Sequence, residues 1–344
     1  MVDAAPPREP VVLDDRPVRL KPGEQPPEVQ APLAIFGGEE PPAPKWFHKA
    51  LANAPERRFV TSNGTQIELL TWGEIGKPGL LLIHGGAAHA DWWSFIAPFL
   101  AGDHRVAAMS LPGMGASGWR EAYLLSDFAA DAEACARAAG LYEDGGKPIY
   151  IGHSFGGAVT YYIAWNAPQQ MRAAILVDTG FAGPPTSAQK TAVADGANAV
   201  SATPSLDRGA RVYPTLATAL ARFRFMPPQP VENLYIADLI ARRSLKRAPM
   251  PDGSGEGWSW RFDPELWDKL DSNVLVGLGA GGGRPTVPVV HAYGENSYVI
   301  GNGMSTVLSD LASVVIPDSH HHVLVDQPLA LTAALRSLLA VWPS

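Results

Sequence analysis

The sequence predicts an α/β fold in which a mostly parallel central sheet carries helices on both faces and is interrupted by a helical insertion. Three observations carry this. Short apolar runs bounded by turn residues alternate with stretches whose larger apolar residues recur every three or four positions, the signature of buried strands separated by packing helices. The run Ile149-Tyr150-Ile151 breaks into Gly152-His153-Ser154-Phe155-Gly156-Gly157, the pattern of a strand that turns sharply into a helix. The same alternation resumes near the C-terminus, after an interval from Gly180 to Pro285 that does not follow it.

In chain order, residues 1–45 are rich in proline and acidic residues without helical or strand periodicity, which predicts an extended arm ending at Trp46 and Phe47. Those aromatics are suited to pin the arm on the main body or on a second subunit. Arg58 to Thr61 and Gln66 to Trp72 flank Asn63-Gly64 and predict a hairpin at a sheet edge. Four continuous apolar runs, Gly79 to Ile83, Val106 to Met109, Ile149 to Ile151 and Ala174 to Val177, predict strands covered on both faces. Helices are expected around Trp92 to Leu100, Leu124 to Ala139 and Gly156 to Asn166, then strands at Val287 to Tyr293 and Val314 to Ile316 and a last helix from Gln327 to Trp342. The domains are therefore the arm at 1–45, a core at 46–180 and 286–344, and a helical cap or lid at 181–285.

Within the insertion, Val212, Leu216, Leu220 and Phe223 recur at helical spacing and a second helix is expected from Val231 to Leu245. Trp258, Trp260, Phe262 and Trp267 follow. An insertion above the carboxyl ends of parallel strands would roof the ligand crevice, so Trp258 and Trp260 are candidate substrate contacts, unless these aromatics are the insertion's own core. Gly277 to Gly283 matches G-x-G-x-x-G by letters but runs into Arg284-Pro285 and a strand, so it reads as a flexible joint rather than a dinucleotide site.

Composition narrows the function. A chain of 344 residues, 46% of them hydrophobic, can bury a sizeable core. A net charge of -7 and the lack of a long Lys/Arg cluster argue against nucleic acid or an anionic membrane as the main partner. Arg242, Arg243, Lys246 and Arg247, the densest basic group, read as a solvated helix face. The single cysteine, Cys135, lies in an alanine-rich helical pattern, permits no intrachain disulfide and is expected to be buried. Met1 to Pro7 lack the basic start and apolar core of a signal peptide, and no run approaches the ~18 apolar residues of a membrane span. Cytoplasm is the default expectation, and a mature exported form would read the same.

Gly152 and Gly156 flank Ser154 in G-x-S-x-G spacing, which lifts a serine hydroxyl clear of the sheet on a strained turn beside helix N-terminal amides. An ordinary glycine-rich turn has the same letters. Serine is a poor nucleophile at neutral pH and needs a base and a group that orients the base. Of nine histidines, the run His320-His321-His322 stands out: it follows a strand and precedes Val323-Leu324-Val325-Asp326-Gln327-Pro328. His321 is the candidate base. No carboxylate or cysteine stands at ligand spacing around the three histidines, so neither a metal nor a cofactor is expected.

The order His84-Gly85-Gly86, Leu111-Pro112-Gly113-Met114-Gly115-Ala116-Ser117, Gly152-His153-Ser154-Phe155-Gly156 and a late histidine resembles the α/β-hydrolase superfamily, in its cap-bearing esterase and lactonase branch, over roughly residues 57 to 343. The resemblance implies the α/β-hydrolase fold. Aligning Asp326 and Pro328 with the family pattern puts His321 at the base, with His320 and His322 shaping the loop. It also implies an oxyanion hole from the N–H groups of Phe155 and Gly86, with His153 beside the substrate. The acid departs from the common G-x-x-D pattern, because Gly294-Glu295-Asn296-Ser297 has serine where aspartate is usual. Asp178, at the end of the strand after the nucleophile, is the first candidate and Glu295 the reserve.

The implied function is a serine hydrolase acting on a carboxylic ester or lactone bond of a small, partly apolar substrate. Alternatives are a carbon–carbon bond hydrolase or cofactor-free perhydrolase on the same triad, or a non-catalytic ligand-binding protein of this fold. A homodimer through the arm or the cap is compatible with the sequence.

Overall fold

Asn63 and Gly64 both take positive φ, 46° and 73°, and this tight turn folds β1 (Glu56–Ser62) back on β2 (Thr65–Trp72) with Ser62 opposite Thr65. The structure is a computed structural model and describes residues 26–180, 211–271, 284–301 and 308–342. From the hairpin the sheet grows through β3 (Gly79–Ile83), β4 (Arg105–Met109), β5 (Ile149–His153), β6 (Ala173–Val177), β9 (Val289–Gly294) and β10 (Ala312–Ile316). The eight strands run in the order β1-β2-β4-β3-β5-β6-β9-β10. Within this sheet only the β1–β2 and β2–β4 pairs are antiparallel, so β4, β3, β5, β6, β9 and β10 run parallel.

Successive residues of the central strands feed two cores. Leu80, Leu82, Ile149, Ile151, Ile175 and Val177 face one side, while Leu81, Ile83, Tyr150, Ala174 and Leu176 face the other. Double coverage explains why these strands read as unbroken apolar runs. The helices Leu125–Ala138 and Phe155–Asn166 cover one face and Pro328–Val341 the other. The stretch expected as a helix around Trp92 to Leu100 is instead a 3-10 turn, Ala90–Trp93, and a single α turn, Ala97–Leu100; Pro98 at the second turn's N-terminus limits continuity.

Two expectations are corrected. Residues 26–44 are not an extended arm: they form the turns Pro27–Gln30 and Ala34–Phe36 and bury Val29 and Leu33. Isolated apolar anchors among prolines carry no periodicity, so composition concealed them. Phe47, on the helix Lys45–Ala52, then meets Phe95 of the core at 6.0 Å and Tyr235 of the insertion at 4.8 Å. The described part of the insertion is also not purely helical. Beside the helices Leu216–Leu220 and Leu234–Arg243 it holds an antiparallel hairpin of β7 (Leu245–Pro249) and β8 (Glu256–Trp260). Gly253 and Gly255 make its turn with φ 74° and 128°. The joint at Gly277 to Gly283 lies outside the described residues. Arg242, read as solvated, pairs with Asp238 at 2.7 Å and donates to the Gly38 carbonyl, which ties the N-terminal segment to the insertion. Among the described residues no helix is long and apolar enough to cross a membrane.

Candidate active site

The turn after β5 stands at the carboxyl edge of the sheet, where crossover loops leave a crevice. Ser154 takes φ 52° and ψ -118° and caps the helix Phe155–Asn166. A non-glycine residue with positive φ is costly and persists only where its surroundings impose it. Here the imposing contacts are close backbone approaches. A Cβ at Gly152 would stand 2.2 Å from the Gly156 carbonyl oxygen, one at Gly156 would stand 2.3 Å from the His84 carbonyl oxygen, and one at Gly157 would overlap Thr179. Small residues therefore let the helix start directly above β3 and β5, with Ser154 N–H held by the Val177 carbonyl at 2.9 Å.

His321 arrives on the loop after β10. Its Nε2 is 2.9 Å from Ser154 Oγ and its Nδ1 is 2.7 Å from Asp178 Oδ1. Asp178 follows β6 with φ 44° and is fully buried. Its carboxylate is satisfied on all sides, because Oδ1 also accepts from Ser297 Oγ at 2.6 Å and Oδ2 accepts from the Gly294 N–H at 2.8 Å. A buried carboxylate cannot donate to His321, so the imidazole carries its proton on Nδ1 and turns a lone pair toward the serine. Glu295 is exposed and accepts from the Asp318 N–H at 3.2 Å; the structure does not bring it to His321. Ser297 occupies the position where the sequence lacked an aspartate, and its hydroxyl serves the carboxylate that Asp178 supplies.

Gly86 and Phe155 lie side by side: a Cβ on Gly86 would be 3.8 Å from that of Phe155. Among the described residues no hydrogen-bond acceptor is found for either N–H. The preceding loop is fixed by His84, whose Nε2 accepts the Leu111 N–H at 2.9 Å and whose Nδ1 faces the Gly85 carbonyl at 2.7 Å. Complete burial pushes the His84 pKa down to about 3, so this neutral ring is a structural strut.

Sequence reasoning missed the wall of the site. Trp267 lies against Gly86, where a Cβ would come within 2.6 Å of its ring, and packs edge-on to Phe155 with ring centroids 5.7 Å apart. Trp258 and Trp260 lie elsewhere in the insertion: Arg247 covers the Trp258 ring at 4.5 Å, and Trp260 meets Tyr213 and Phe223. Both are partly buried against the hydrophobic cluster that the insertion shares with one face of the sheet. Gln229 was also missed, since nothing in the chain marks it. It accepts the His322 N–H at 2.8 Å and donates to Asp326, which accepts the His320 N–H at 2.7 Å; together they clamp the histidine loop.

His153, expected beside the substrate, is turned inward. Its Nε2 is 3.0 Å from the His321 carbonyl, its ring stacks on Trp92, and burial pushes its pKa down to about 3. His322 is packed between Phe225 and Trp92. Burial, then the imidazoles of His321 and His153, hold its pKa well below the ordinary value; the carbonyls of Met226 and Pro227 lie near the ring, but neither nitrogen makes a hydrogen bond of normal geometry.

Residues 80–335 match the family model described as the alpha/beta hydrolase family. The chain is 25% identical to the esterase Rv0045c of Mycobacterium tuberculosis over 85% of its own length and 92% of that protein. It is 36% identical to the lipase LipV of the same organism over 32% of this chain, an alignment that spans 41% of LipV. Among solved structures, E-2-(acetamidomethylene)succinate hydrolase superposes with a TM-score of 0.63 at 20% identity, covering 83% of this chain and 99% of that one. The Rv0045c structure, described with transition metal inhibition of that esterase, superposes with a TM-score of 0.56 at 21% identity, covering 90% and 97%. With the parallel sheet, the strained serine turn and a family match across most of its length, the chain belongs to the alpha/beta hydrolase family.

Proposed function

We propose that this protein is a serine hydrolase that cleaves a carboxylic ester or lactone of a small, partly apolar substrate through an acyl-enzyme. One observation carries this: hydroxyl, imidazole and carboxylate form a continuous hydrogen-bonded line, 2.9 Å from Ser154 to His321 and 2.7 Å from His321 to Asp178, beginning at a strained turn above a helix N-terminus. The esterase and lipase relatives support an ester as the bond attacked.

Ser154 Oγ attacks the carbonyl carbon while His321 Nε2 takes its proton. Asp178 keeps the His321 proton on Nδ1 and stabilises the imidazolium that forms. The negative oxygen of the tetrahedral intermediate points at the N–H groups of Phe155 and Gly86, each such donor contributing ~3 kcal/mol. His321 then protonates the leaving alcohol, and water, deprotonated by the same nitrogen, releases the acid. Ser154 argues against an epoxide hydrolase reaction, although an epoxide hydrolase is among the relatives, because the resemblance implies that most family members acting on epoxides place an aspartate where this chain has Ser154. The test is a fluorophosphonate probe together with an ester and lactone panel of graded chain length. The wild type should be labelled at Ser154 and turn over part of the panel, and Ser154→Ala should lose both. A folded wild type that resists the probe would point to a silent binding protein instead.

A further inference from the structure

Behind the nucleophile three imidazoles converge: one ring nitrogen from each of His153, His321 and His322 lies within 4.8 Å of the others. All three side chains are buried. The hydrogen bonds fix where their lone pairs point. A carbonyl only accepts, so His153 carries its proton on Nε2 against the His321 carbonyl, 3.0 Å away. Its lone pair is therefore on Nδ1, a buried atom without a hydrogen-bond partner. His321, protonated on Nδ1 toward Asp178, presents its lone pair on Nε2. Neither nitrogen of the buried His322 has a hydrogen-bond partner. One nitrogen of each ring thus lies close to the other two, and two of the three residues, His153 and His322, carry buried nitrogens without a hydrogen-bond partner. Gly85 packs beside this cluster, where a Cβ would stand 3.0 Å from His153 Nδ1 and 3.2 Å from Ser154 Cβ. The cluster could not be seen in the His320-His321-His322 run, since His153 stands 168 residues before His321.

We propose that His153, His321 and His322 form a binding site for a divalent transition-metal ion of the zinc type, and that occupancy switches the hydrolase off. Neutral imidazoles suit zinc, copper and nickel. Tetrahedral bonds of ~2.1 Å set ligand nitrogens roughly 3.4 Å apart, so small turns of the three rings close the site. Asp178, bonded to the far nitrogen of His321, holds the required tautomer and offsets part of the ion's charge, the carboxylate–histidine–metal arrangement. Inhibition follows from the ligand set itself. The Nε2 lone pair of His321 that accepts the Ser154 proton is the one the ion takes, and a coordinated imidazole is no longer a base.

The inhibitory half rests on the hydrolase reading, whereas binding does not. Co2+ is therefore titrated into wild-type and Ser154→Ala protein, where visible bands of four-coordinate cobalt should saturate at one equivalent and disappear on adding Zn2+. In ester assays, saturating Zn2+ should slow the wild type more than tenfold, with full recovery on chelation. His322→Phe, which removes a ligand outside the proton relay, should retain turnover, lose the cobalt bands and need at least tenfold more Zn2+ for half inhibition. Absent cobalt bands in folded wild type, or equal Zn2+ sensitivity in His322→Phe, would overturn the site. If His322→Phe does not fold, the wild-type cobalt titration decides alone, and it decides equally if no ester is turned over.

Discussion

Asp178 owes its place at His321 to a division of labour with Ser297. The carboxylate sits on one strand end, and the hydroxyl that holds it sits 119 residues away on the loop after β9, 2.6 Å from Oδ1. Replacing Asp178 with asparagine leaves the geometry but reverses the favoured tautomer of His321, so kcat should fall by about 10⁴. Ser297→Ala removes one hydrogen bond to a buried charge, worth about 1.5–3 kcal/mol, and should lower kcat by about 10- to 150-fold if that loss falls wholly on the transition state. Glu295→Gln should stay within about twofold, since its carboxylate meets only the Asp318 N–H. Steady-state kinetics on the three variants give the order directly, and a Glu295→Gln enzyme as damaged as Asp178→Asn would remove Asp178 from the relay. Both carboxylates were legible as candidates in the sequence. What chain order could not express was surroundings: Glu295 is exposed and meets only the Asp318 N–H, while Asp178 is buried against His321, Ser297 and Gly294. Ser297 was legible only as a missing aspartate, because the value of its hydroxyl depends on where the acid sits.

At the level of elements, the placement of Ser154 depends on how closely one helix approaches two strands. The helix Phe155–Asn166 begins against the carbonyls of Ile83 and His84 because Gly156 has no side chain. In Gly156→Ala the added Cβ meets backbone at 2.3 and 2.6 Å, so the helix must shift away. Stability should drop by about 1–3 kcal/mol, and fluorophosphonate labelling of Ser154 should slow beyond what that loss explains. Equal stability and labelling would show that the turn tolerates the shift. The buried strands and this helix were readable because one rule, continuous apolar runs against helical spacing, held throughout them. The insertion resisted it: β7 and β8 are amphipathic and short, and their aromatics resemble a helical stripe as much as a hairpin face. Trp267, rather than Trp258 or Trp260, reaches Gly86 and Phe155. Trp267→Ala should therefore change the preference between short and long acyl chains by several-fold, while Trp258→Ala mainly lowers the melting temperature. Unchanged selectivity in Trp267→Ala would mean that the acyl group lies elsewhere.

Over the whole molecule, the site is assembled from residues that only the complete sheet brings together: Ser154 after β5, Asp178 after β6, Ser297 after β9 and His321 after β10. Phe47 and Arg242 fasten the N-terminal segment across core and insertion, so the described parts share one hydrophobic cluster. The same assembly encloses several uncharged histidines. Burial pushes His84 and His153 down to about 3 and His291 down to about 4, the last accepting the Thr179 N–H at 3.2 Å. In the unfolded chain each returns to about 6.5. Between pH 6.5 and pH 4 the unfolded state therefore binds more protons than the folded one, and stability must fall as pH is lowered through that window. Each such histidine contributes a slope of up to ~1.4 kcal/mol per pH unit. Urea unfolding at pH 7.5, 6 and 5 should show a constant midpoint above pH 7 and a steep decline below 6.5. His291→Asn, which removes one titrating group, should flatten that decline by about one proton. A midpoint that holds steady from pH 7.5 to pH 5 would mean that these rings accept protons in the folded state, and their burial would not be what keeps them neutral.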